Sequence, residues 1–101
     1  MSHTPSRRTL QQHRTVLRPD EVLASASNFF ARRSGIYSAF LEKRGPSWMS
    51  LRGQGGEEIV IAATVEGGST SVTASSYLFD AQVAQFLSTL PPVNTTDQVV
   101  A

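Results

Sequence analysis

His3 and His13 are the only imidazoles in this 101-residue chain, and no cysteine accompanies them. A zinc-type site needs three or four His, Cys or carboxylate ligands converging on one point. Neither histidine has an acid beside it in sequence, so no metal site is expected. The absence of cysteine also excludes a disulfide framework, iron–sulfur ligation and a thiol nucleophile. A serine nucleophile needs a histidine held next to it on a rigid scaffold. Pro19 to Pro92, the stretch with folded-domain character, contains no histidine.

Acid–base work by paired carboxylates would have to draw on Glu42, Glu57, Glu58 or Asp80. Glu57 and Glu58 are adjacent, and adjacent residues of a strand point to opposite faces. Arg52-Gly53-Gln54-Gly55-Gly56 suggests a phosphate cradle, because successive glycines can offer backbone N–H groups beside an arginine. Such cradles lead from a strand into a helix whose dipole assists. This one leads from strand to strand and reads better as a hairpin turn using glycine's tolerance of positive φ. The chain is therefore expected to be non-catalytic, with no cofactor.

The elements that would position a binding surface are more legible. Pro19, Asp20 and Glu21 suit the first turn of a helix. Val22, Leu23, Ala26, Phe29 and Phe30 follow at helical spacing, and Gly35 can supply a left-handed cap. The period then changes to two. Residues 36–43, 48–52, 57–65 and 70–77 read as strands joined by glycine-bearing turns too short for parallel crossovers. Asp80 looks like the N-cap of a second helix of about ten residues, which Pro91-Pro92 ends. The expected fold is α+β: a two-layer sandwich of helix, four-stranded antiparallel meander and helix, both helices on one sheet face.

Charge is divided unevenly. Residues 1–18 carry Arg7, Arg8, Arg14 and Arg18 with no acid, while residues 19–92 carry five cations against seven acids. The first segment is expected to be an extended, mobile basic arm, residues 19–92 a single domain, and residues 93–101 a short tail. No apolar run is long enough to span a bilayer and no secretory leader is visible, so the expectation is a soluble cytoplasmic protein, with a place at the periphery of a membrane complex as the alternative.

The alternation in residues 57–65 puts Ile59, Ile61, Ala63 and Val65 on one side, with Met49 and Leu51 expected to join them. Val60 and Ala62 then fall on the opposite side, together with Trp48. Two helices cover only one face, so this second, half-apolar face is expected to receive a partner. The partner-binding residues expected are thus Trp48, Val60 and Ala62, with Arg7, Arg8, Arg14 and Arg18 on the arm. Other protein subunits or a second copy are the first expectation. The arm could also meet an anionic membrane or an acidic protein patch; nucleic acid is disfavoured because no aromatic groups are interleaved with the arginines. Two rival readings stand beside it: a small-molecule pocket between sheet and helix lined by Tyr37, Phe40 and Trp48, and weak nucleic-acid binding through the basic arm.

Overall fold

The computed structural model describes residues 9–32 and 37–93. Seven elements follow in order: β1 (Thr9–Thr15), α1 (Pro19–Ala31), β2 (Ala39–Arg44), β3 (Trp48–Gly53), β4 (Glu58–Glu66), β5 (Ser69–Ser76) and α2 (Asp80–Ser88). They form a small α+β domain with one five-stranded antiparallel sheet in the order β1-β5-β4-β3-β2.

The meander β2 to β5 follows from turn chemistry. Gly67 and Gly68 both adopt positive φ, 61° and 86°, between the paired residues Glu66 and Ser69. Two successive positive φ values suit the twist of a two-residue hairpin. The β3–β4 turn uses a single positive-φ glycine, Gly56 at 91°. In the β2–β3 hairpin, the Gly45 N–H donates to the Trp48 carbonyl at 2.9 Å. A Cβ at Gly45 would fall 2.1 Å from the Trp48 indole nitrogen, so only glycine lets the ring lie over the turn.

The fifth strand corrects the mobile-arm expectation. Thr9–Thr15 pairs with β5 in unbroken register, from Thr9 opposite Ser76 to Thr15 opposite Thr70. The Val16 N–H reaches the Pro91 carbonyl at 3.3 Å, and Thr15 bridges Pro92 on the outer side. The folded domain thus begins before Pro19. The inward residues of this strand, Thr9, Gln11, His13 and Thr15, are polar, so no apolar alternation announces it.

α1 starts at Pro19, and the Arg18 N–H donates to the Glu21 carboxylate at 2.8 Å. The helix ends at Ala31, with the Arg32 N–H on the Asn28 and Phe29 carbonyls. Gly35, the expected cap, lies outside the described residues. In α2, Asp80 is the first helical residue and Phe79 the N-cap. Asp80 serves instead as a tether: its carboxylate accepts from Thr9 Oγ1 at 2.8 Å, and its carbonyl accepts from Gln11 Nε2 at 3.0 Å.

One core joins both helices to one side of the sheet. Val22, Leu23, Ala26 and Phe30 of α1 and Val83, Phe86 and Leu87 of α2 are buried with Met49, Leu51, Ile59, Ile61, Ala63, Val72 and Ala74. Burying each large side chain contributes about 1.5–3 kcal/mol. Phe29, Phe30 and Phe86 form a ring cluster with centroids 5.0–5.8 Å apart. Val65, expected inside, is 67% exposed because β4 ends in a hairpin at Glu66.

Candidate interaction surface

Among the described residues, no helix lies on the sheet's other face. Strand register places its side chains in rows. One row reads Trp48, Ala62, Thr73, Gln12; the next reads Lys43, Ser50, Val60, Ser75, Leu10. Beyond them come Thr64, Ser71 and Arg14 on one side and Phe40, Arg52 and Glu58 on the other. At about 4.8 Å between strands, Trp48 and Gln12 border a floor about 14 Å wide.

That floor consists of small side chains, and its character differs from the expected half-apolar face. Val60 and Ala62 are half-buried, but Ser71, Thr73 and Ser75 of β5 line them with hydroxyls. Ser50 is 3% exposed, and its Oγ has no hydrogen-bond partner. A cavity of about 460 Å³ opens over Gln12, Arg14, Ala62, Thr64, Ser71 and Thr73. Tyr37, Phe40 and Trp48 do not line it, and all three are exposed, so the expected aromatic pocket between sheet and helix is not formed by these residues.

Two arginine clusters border the face. Arg14 pairs with Glu66 at 3.2 Å and with Ser69 Oγ at 2.6 Å, and also donates to the Glu66 carbonyl. Arg52 pairs with Glu42 at 2.8 Å, lies 3.8 Å from Glu58 and donates to the Gly56 carbonyl at 2.9 Å. The Glu42 hydrogen bond, then the charges of Glu42 and Glu58, outweigh desolvation and hold the Arg52 guanidinium above its usual pKa.

The same contacts close the glycine turn to phosphate. The Gly53 N–H goes to the Glu57 carbonyl at 2.7 Å, the Gly55 N–H to Glu57 Oε1 at 3.0 Å and the Gly56 N–H to the Gly53 carbonyl at 3.1 Å. The amides that would cradle an anion are already bonded within the turn.

Of the residues expected to bind a partner, Trp48, Val60 and Ala62 are brought together, Trp48 and Ala62 as direct cross-strand neighbours. Arg14 and Arg18 are not free cations of an arm: Arg14 is spent on Glu66, and Arg18 lies 3.2 Å from Asp20. Arg7 and Arg8 lie outside the described residues. Sequence reading missed Leu10, Gln12 and the β5 hydroxyls, although the period-two spacing of Ser71, Thr73 and Ser75 was a usable signal. His13 falls on the helix side of the sheet by register, with Nε2 enclosed and unpartnered. Among the described residues no group of three His, Asp or Glu could hold a metal ion, and no helix is long and apolar enough to cross a membrane.

No family model matches the chain, and no curated protein or solved structure shows significant similarity to it. The functional reading rests on the surface itself.

Proposed function

We propose that this chain is a non-catalytic docking subunit that seats a partner protein on its uncovered sheet face. The observation that carries the reading is the pairing of Trp48 with Ala62, next to Val60, on a floor of small side chains that neither α1 nor α2 covers. A floor of this kind admits the close approach of another protein's side chains, and an aromatic residue at its border is the type enriched at binding hot spots. The Arg14–Glu66 and Arg52–Glu42 pairs form a polar rim around it. Residues 1–18 carry four arginines and no acid, a charge excess that suits a partner with an acidic patch.

The composition supports the non-catalytic part: the chain contains no cysteine, and the one histidine among the described residues, His13, has an enclosed Nε2 without a hydrogen-bond partner. The mixed hydroxyl, amide and ion-pair lining of the 460 Å³ cavity supports a second reading, in which a small hydrogen-bonding molecule occupies the same face.

A photo-crosslinking residue at position 62, introduced into the full chain in its own cell, separates these readings. A discrete protein adduct that disappears with Val60→Glu is the expected result. Absence of any adduct from position 62, with adducts forming equally from exposed positions on the helix side, would remove the docking face.

A further inference from the structure

We propose that the β2 edge of the sheet is a docking surface for an anionic lipid bilayer. This surface adjoins the uncovered face, with which it shares Phe40, Lys43 and Trp48, and it is tested separately through Lys43, Arg44, Phe40 and Leu41. Four large apolar or aromatic side chains are exposed along this edge: Tyr37 at 42%, two residues before β2 and edge-on to Phe79, Phe40 at 54% and Leu41 at 42% on β2, and Trp48 at 37% at its hairpin. Lys43 and Arg44 lie among them, and neither takes part in an ion pair or side-chain hydrogen bond among the described residues. Glu42, the one acid of the strand, is turned to Arg52. Residues 19–92 have an excess of acids, yet this edge presents unneutralised cations. Cations interspersed with tryptophan, tyrosine and aliphatic groups suit the headgroup layer of an anionic membrane. The charges meet lipid phosphates, and the rings sit at the boundary of the acyl chains.

The backbone argues against the other occupants of a sheet edge. An added strand, from a peptide or a second copy, needs a run of outward-turned N–H and C=O groups. Gly53 directs its N–H to β4, so its β2 partner Ala39 is turned away from β3, and Leu41 with it. Ala39 is fully buried, however, and the ladder is broken by a bulge between Leu41 and Lys43. One outward residue before the bulge is too little to pair a strand. A bilayer makes no demand on backbone register; it needs only the protruding side chains and the charge.

Trp48 is the only tryptophan in the chain, which makes its fluorescence a reporter at the site. The full chain is mixed with phosphatidylcholine vesicles containing a minority of phosphatidylglycerol, at about 0.15 M salt. The expected result is a blue shift of Trp48 emission and quenching by brominated acyl chains, with no partition onto phosphatidylcholine alone. Lys43→Ala with Arg44→Ala lowers partition about thirty-fold, roughly five- to six-fold for each cation near the surface. Phe40→Ser with Leu41→Ser removes the acyl-chain quenching while electrostatic adsorption persists. All four positions are exposed, so the fold should survive, which circular dichroism checks. Equal binding to neutral vesicles overturns the proposal, as does partition unchanged by the Lys43 and Arg44 substitutions. Loss on replacing Arg7 and Arg8 alone assigns the binding to the N-terminal segment and overturns it too. A glutamate-rich peptide held at Lys43 and Arg44 while vesicles are ignored would make the edge a peptide site instead. Crosslinking from position 62 that is unaffected by the Lys43 and Arg44 substitutions keeps the two surfaces distinguishable.

Discussion

Arg14 reaches from β1 to Glu66 at the end of β4, its guanidinium 3.2 Å from the carboxylate and also bonded to the Glu66 carbonyl. The pair ties the edge strand to the β4–β5 hairpin and converts an arginine of a nominal arm into part of the sheet. Both side chains are substantially exposed, 45% and 67%, so the charge interaction is screened. Arg14→Ala should cost no more than about 1 kcal/mol in urea unfolding. Removal of residues 1–15 uncovers the edge of β5 and takes cover from Val72 and Ala74; it should abolish cooperative unfolding. A truncated chain that unfolds with the full chain's midpoint would show β1 to be dispensable.

The Ser50 hydroxyl is buried without a partner on the uncovered side of the sheet. An unmet hydrogen bond of this kind costs about 1–3 kcal/mol, so Ser50→Ala should stabilise the domain. A gain of about 1 kcal/mol raises Tm by roughly 4–8 °C in a domain of this size. A drop in Tm instead would mean that the hydroxyl is satisfied.

Leu78, 64% exposed between β5 and α2, has φ of 72°, where a side chain bearing a Cβ is strained. Asparagine tolerates this region better and a β-branched residue much worse. Leu78→Asn should therefore stabilise by about 0.5–1 kcal/mol and Leu78→Val destabilise by at least that amount, measured by denaturant midpoints. Because the leucine is exposed, little burial is lost in either case.

Phe86 sits 5.5 Å from Phe29 and 5.8 Å from Phe30 between ring centroids, joining α2 to α1. Phe86→Ala should cost about 3–5 kcal/mol, a large part of the roughly 5–15 kcal/mol that holds a small domain together. Phe30→Ala shares the same cavity, so the double variant should lose measurably less than the sum of the single losses. Additivity within about 0.3–0.5 kcal/mol would indicate that the two rings are independent.

Much of the fold was legible in the chain because local chemistry and global packing agree there. Pro19 and the spacing of Val22, Leu23, Ala26 and Phe30 specify α1 with no reference to the rest of the molecule. The glycines at 56, 67 and 68 do the same for two hairpins. Ile59, Ile61 and Ala63 identify the buried face by alternation alone, and with it Trp48, Val60 and Ala62 on the other.

The tertiary structure decided what had no local signature. Thr9–Thr15 becomes a strand because β5 offers an unpaired edge and Asp80 and Pro91 hold the strand's ends, interactions spanning about seventy positions in sequence. Its polar inward residues could not reveal this. Arg14 reads as a free cation along the chain, and only folding brings Glu66 to it; Arg18 meets Asp20 two positions on. The chain by itself determined its turns, its first helix and the two faces of its central strand, since these depend on neighbours within a few residues. Which strand closes the sheet, which cations remain unpaired and what surface is left uncovered were settled by contacts between residues far apart in sequence, which a linear pattern does not encode.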